Sequence, residues 1–152
     1  MTKKKININN NSLIEQFGIK PYKLRVKEKY MSKRQLNHFK KILNSWKQQL
    51  EQEAEKTVNH MQKDSNTLAD PNDRATQESE FGLELRTRDR ERKLIRKIQS
   101  SLIKIDDGTF GYCEETGEEI GLQRLEARPV ASLTLEAQER REITEKQFTD
   151  SR

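Results

Sequence analysis

Five apolar residues, Leu36, Phe39, Leu43, Trp46 and Leu50, follow one another at spacings of 3, 4, 3 and 4. That alternation is the seam of a coiled coil, one stripe of a helix turned toward a partner helix. Ala54, Val58 and Met61 continue it with a local shift of phase. A second helical stretch runs from about Pro71 to Ile105, with Ala75, Phe81, Leu85, Ile95, Ile98, Leu102 and Ile105 as its apolar positions. In an antiparallel pair, Leu36 faces Ile105, Phe39 faces Leu102, Leu43 faces Ile98 and Trp46 faces Ile95, and the numbers of each pair add to 141. The midpoint of that register falls between Asp70 and Pro71. There the run Asp70-Pro71-Asn72-Asp73 is itself a helix-start signal, with an N-cap, a proline at the first helical position and a carboxylate in the first turn. The apolar pattern and the turn signal agree on a long helical hairpin.

Ser32 with Gln35 three residues later is a capping-box signature and sets the start of the first arm. At ~1.5 Å per residue each arm is roughly 45–50 Å long. The middle of the hairpin is polar, because Arg86-Thr-Arg-Asp-Arg-Glu-Arg-Lys93 holds no apolar side chain. The base should therefore be zipped best.

Composition agrees with an extended helical chain. Of 152 residues 36% are charged and 31% hydrophobic, too few core-formers for a sheet covered on both faces. Leu, Ile, Val and Phe number 33, about 22% of the chain and just above the level associated with disorder. The net charge of +5 sets 30 basic against 25 acidic residues, a weak argument for binding DNA. No run of 18 apolar residues occurs, so no membrane-spanning helix is expected, and the Lys-rich start lacks the apolar stretch of a secretory signal. Cys113 is the single cysteine, which forbids an intramolecular disulfide and makes a cytoplasmic address the expectation.

Outside the hairpin the chain reads in short pieces. Residues 1–11 are Lys/Asn-rich and expected to be loosely held, Ser12–Phe17 suits one helix turn closed by Gly18, and 19–31 should run extended along a neighbour. Beyond Gly108, residues 109–113 and 118–120 read as two short strands, and 121–128 as a short helix stopped by Pro129. Ser132 or Thr134 caps a last helix reaching about Phe148. The expected organisation is an N-terminal segment over 1–31, a hairpin over 32–107 with its tip at 70–75, a small globular region over 108–132, and a C-terminal helix and tail over 133–152.

Catalytic patterns are missing. There is no phosphate-binding glycine loop, no H-E-x-x-H and no G-x-S-x-G, and the two histidines, His38 and His60, both sit on the first arm. Cys113 has no histidine in its own segment to act as a base. An enzyme is not expected.

The motifs do have a family likeness. Phe110-Gly-Tyr-Cys113, Glu119-Ile-Gly121 and Arg124-Leu-Glu-Ala-Arg-Pro129 follow a hairpin tipped by Asp70-Pro-Asn-Asp-Arg-Ala75. The arms carry Tyr30-Met31-x-x-x-Gln35-Leu36-x-His38-Phe39, Thr57-Val58-x-His60-Met61-Gln62, Phe81-x-Leu83-Glu84-Leu85-Arg86 and Arg88-Asp-Arg-Glu-Arg-Lys-Leu-Ile95. In this order, from about Pro21 to Gln147, the chain resembles the DksA/TraR family.

The resemblance implies a mainly α fold, a long antiparallel coiled-coil hairpin with a small degenerate zinc-ribbon-like domain and a C-terminal helix. It implies a transcription regulator that binds RNA polymerase through the secondary channel. Together with ppGpp, such a protein modulates initiation in the stringent response, repressing ribosomal RNA promoters and activating some biosynthetic ones. Residue by residue, it makes Asp70, Asp73 and Ala75 the tip that acts at the polymerase active centre, and Arg86 and Arg90 the contact to the channel rim. Plain helix capping is the other reading of the two aspartates, and both can hold at once, but with Ala75 matching the family tip the resemblance favours function. Lys97 and Arg128 match the ppGpp interface, while Gln138 stands where a basic residue is expected, with Arg140 and Arg141 nearby. The partners implied are RNA polymerase and ppGpp, with no sequence-specific DNA contact, no membrane and a monomeric chain.

The family's metal signature is C-x2-C, a spacer of 17 and C-x2-C, a four-thiolate zinc pattern. Those positions are Cys113, Thr116, Thr134 and Ala137 here. The resulting expectation is no structural zinc and no stably bound cofactor, with ppGpp as the co-effector. Two other readings stay open: a transcript-cleavage or anti-cleavage factor of the same channel, with Asp70 and Asp73 holding a metal, and a structural coiled-coil adaptor or basic nucleic-acid binder.

Overall fold

The computed structural model describes residues 13–64 and 71–151. In chain order these form α1 (Leu13–Gln16), α2 (Lys33–Asp64), α3 (Pro71–Asp107), α4 (Leu122–Ala127) and α5 (Leu135–Asp150). They fall into two compact units, one holding the described residues up to Ile42 and from Gly111 onward, the other Leu43–Phe110. No helix among the described residues is long and apolar enough to cross a membrane.

The second unit holds most of the hairpin. Only six residues separate α2 from α3, and at ~3.5 Å each they are too short to carry the chain back along α2, so the arms must run antiparallel. One crevice is lined by Gln48, Ala54 and Val58 of α2 together with Arg88 and Ile95 of α3, which places the arms side by side there. Leu43 and Ile98, paired by the 141 register, are both fully buried, and Trp46 and Ile95 are both half-buried. Farther along, the seam opens: Leu85 is 48% exposed and so does not belong to the buried stripe as its spacing suggested. The polar run after it supplies no apolar neighbours to close the gap. α3 also passes without a break through Gly82, where the backbone keeps helical geometry despite the missing side chain.

In the first unit, α1 packs on α4, burying Ile14 and Leu125. α1 closes at Gly18 in the left-handed region, φ 64°, as a helix C-terminus prefers. The expected capping at Ser32 is present in altered form. Ser32 Oγ accepts the Gln35 N–H at 3.4 Å, but Gln35 Oε1 reaches back to the N–H of Met31, not of Ser32, at 2.7 Å. The two expected strands reduce to one antiparallel bridge, Tyr112 with Glu119, flanked by Cys113 N to Glu118 O at 2.8 Å and Ile120 N to Gly111 O at 2.9 Å. Gly111, Gly117 and Gly121 all take positive φ and bend the chain before a ladder can extend. Of the two candidate caps for the last helix, Thr134 is the one used, its Oγ1 accepting the Ala137 N–H at 3.3 Å.

Candidate functional site

The first candidate site is the helix start at Pro71. Pro71 occupies the first position of α3, Asp73 stands exposed in its first turn, and Ala75 is exposed just beyond. A carboxylate here is favoured by the helix dipole and remains free to meet a partner. Asp70 lies outside the described residues, as does the stretch 1–11.

Arg86 and Arg90 lie four residues apart and so share one face of α3, both exposed. Arg86 Nε donates to the carbonyl of Gly82 at 3.3 Å, which holds the guanidinium along its own helix. Lys97 is exposed farther along α3. Arg128 is exposed where α4 ends, its N–H donating to Arg124 O at 2.8 Å. Gln138 turns onto its own helix, its Nε2 donating to Glu142 Oε1 at 2.8 Å. Glu115, Thr116, Arg140, Arg141 and Thr144 line a shallow surface cleft, so Arg140 and Arg141 stand near the loop that carries Thr116.

The four metal-signature positions come together. Cys113 is buried, and Thr134 Oγ1 donates toward its Sγ at 3.9 Å. Ala137, fully buried, joins the same cluster through its N–H to Thr134 Oγ1. Burial pushes the Cys113 thiol up, but hydrogen bonds from the Thr116 hydroxyl and from the backbone of Thr134, Thr116 and Glu115 outweigh it and bring the group down to about 6. The loop thus keeps amides aimed at one sulfur.

One network was not visible in the sequence. The Tyr22 hydroxyl and the Ser32 hydroxyl donate to the Glu28 carboxylate, as does the N–H of Arg25 at 3.0 Å. These bonds, Tyr22 first, hold Glu28 at about 2, well below its ordinary 4.5. The N–H of Tyr22 and His38 Nε2 both meet Glu126 Oε1, at 2.6 and 3.1 Å. The segment 19–31 is thereby tied to α2 and α4 by polar contacts, which leave no periodic trace.

Residues 35–105 match the family model described as DnaK suppressor protein DksA, N-terminal domain. Residues 108–142 match the model described as prokaryotic dksA/traR C4-type zinc finger. The chain is 54% identical to the RNA polymerase-binding transcription factor DksA of Haemophilus influenzae, over 90% of this chain and 94% of that one. It is 52% identical to the factor of the same name from Escherichia coli, over 90% and 91%. Among solved structures, the transcription factor DksA2 of Pseudomonas aeruginosa superposes with a TM-score of 0.71 at 38% identity, covering 77% of this chain and 90% of that one.

The zinc-finger match corrects the expectation of a chain without zinc: residues 108–142 belong to a zinc-binding domain family. That expectation weighed only the four ligand positions, whereas the match extends over 35 residues. The side chains present are one thiol, two hydroxyls and a methyl that can donate nothing; they do not reproduce a four-thiolate cage, and Cys113 is the residue of the four suited to a zinc ion. Among the described residues no group of three or more His, Cys, Asp or Glu is arranged to hold a metal.

Two family models that match successive stretches of the chain, and relatives more than half identical over nine-tenths of the sequence, lead to one conclusion: the chain belongs to the DksA/TraR family.

Proposed function

We propose that this protein is a non-enzymatic transcription regulator that binds RNA polymerase, enters its secondary channel hairpin tip first, and acts with ppGpp on initiation. The family relationship supports polymerase as the partner, since the relatives are named RNA polymerase-binding transcription factors. The observation that carries the mode of action is α3, an unbroken helix of 37 residues whose first turn bears the exposed Asp73. At ~1.5 Å per residue it is about 55 Å long, enough to bring a carboxylate deep into a narrow channel.

In this reading Asp73, with Asp70 before it and Ala75 after it, meets the bridge helix, the trigger loop or a basic site nearby. A negative charge in that low-dielectric setting has a large effect on whatever cation it faces. Arg86 and Arg90, on one exposed face, make charge-assisted pairs with acidic groups on the channel rim and set the docking depth. Lys97 and Arg128 present exposed cations for the ppGpp phosphates at the polymerase surface. Repression of ribosomal RNA promoters and activation of some biosynthetic ones follow from destabilising initiation complexes.

The test is transcription in vitro from a ribosomal RNA promoter, with and without ppGpp, comparing the wild-type protein with Lys97→Ala. The wild type is expected to repress, and to repress more strongly with ppGpp. Lys97→Ala should keep the first effect and lose the second. Repression by neither protein under either condition would overturn the reading.

A further inference from the structure

In the unit made by the described residues up to Ile42 and from Gly111 onward, a cavity of about 1100 Å³ shares only Arg128, at its wall, with the residues of the polymerase reading. Its wall is largely apolar, with Leu24, Ile120, Leu122, Ala127 and Leu135 prominent, and it is of the size that takes small organic molecules. Gln35, in the first turn of α2, also lines it. This side chain is completely buried. Its Oε1 accepts from Met31 N, which fixes the amide so that Nε2 is the free end, and Nε2 has no hydrogen-bond partner. Buried amide donors are almost always paired, so one left open on a cavity wall marks where an acceptor belongs.

Of the other polar groups of the wall, Gln123 is exposed to solvent, and the rest are already engaged or cancel in charge. The Tyr30 hydroxyl donates to Gly111 O and accepts from Gly121 N. The Glu28 carboxylate receives Tyr22, Ser32 and the N–H of Arg25. Arg124 Nε donates to Leu133 O at 3.0 Å. In charge, Glu28 and Glu119 balance Arg124 and Arg128.

We infer that this cavity binds a small uncharged molecule with an apolar body and one carbonyl-type acceptor, which takes the hydrogen bond of Gln35 Nε2. The apolar wall holds the body by burial, and the amide fixes its orientation. A balanced wall gives no reason for a polyanion to settle inside, which sets this site apart from the phosphate contact proposed for Arg128.

The experiment is a titration of the full chain followed by two-dimensional amide NMR, with three probes. Acetophenone has an apolar ring and an acceptor; ethylbenzene has nearly the same shape and no acceptor; benzoate carries a charge. Acetophenone should shift the amides of Leu24, Gln35 and Leu122 with millimolar affinity, and ethylbenzene should bind about fivefold more weakly, the net effect of one hydrogen bond. Ala127→Trp, at an exposed position on the cavity wall, should fill the space and abolish these shifts. Gln35→Leu should erase the preference for the ketone; if that variant does not fold, the comparison of ketone with hydrocarbon and Ala127→Trp decide alone. The inference is overturned by the absence of localised shifts with acetophenone, as when water alone serves Nε2. It is equally overturned by shifts that survive Ala127→Trp, by equal binding of ketone and hydrocarbon, or by benzoate binding best.

Discussion

The Tyr30 hydroxyl donates to the carbonyl oxygen of Gly111 at 2.7 Å, across 81 residues of sequence. The Tyr30 hydroxyl oxygen in turn accepts the N–H of Gly121 at 3.0 Å, and the Tyr30 ring meets Tyr112 edge-on with centroids 5.6 Å apart. A single phenol therefore pins both ends of the loop that carries Cys113.

Tyr30→Phe removes that phenol oxygen, leaving the Gly121 N–H without its partner and the Gly111 carbonyl with the Ile120 N–H alone. It should lower stability by about 1–3 kcal/mol while leaving the helical content unchanged. Equilibrium denaturation, with far-ultraviolet circular dichroism for the helices, reads both quantities.

Gly111→Ala should be more damaging. Gly111 sits at φ 91°, and an added Cβ would come within 2.8–2.9 Å of the Met31 side chain. Left-handed strain and overpacking together suggest a loss of about 2–4 kcal/mol. Adding Met31→Ala should restore part of the loss, since it removes the overlap but not the strain. The two midpoints of chemical denaturation compare these directly.

The hairpin was legible because its signals repeat. Spacings of 3 and 4 mark a buried stripe, and Pro71 after an acidic cap marks a start, so α3 begins at the residue the register indicated. Burial at Gln35 and Ile42 was not legible: neither lies on the expected seam, and each is buried in the unit that 19–31 and the residues after Gly111 help to form. The Tyr22–Glu28–Ser32 network was hidden for a related reason. Hydrogen bonds between aperiodic segments leave no pattern in composition or spacing. At the metal signature, the expectation weighed only Cys113, Thr116, Thr134 and Ala137, whereas the family match covers the whole surrounding stretch 108–142.

Glu28 gives the protein an acid-sensitive element. Its carboxyl is held at about 2 against an ordinary 4.5, so folding favours the charged form. The stabilisation is fully present above about pH 4.5 and is lost as pH falls toward 2. Glu28→Gln should thus be less stable than the wild type at neutral pH, and the gap should close on acidification through that window. Denaturation midpoints of both proteins at several pH values show whether it does.

The central claim is that the exposed carboxylate at the start of α3 acts after docking and does not create the docking. The direct measurement is Asp73→Asn assayed twice, for affinity to RNA polymerase and for repression of a ribosomal RNA promoter with ppGpp. Affinity should stay within about twofold, the scale of a removed surface charge, while repression should be abolished. Equal loss of binding and repression, or full repression by the variant, would contradict it.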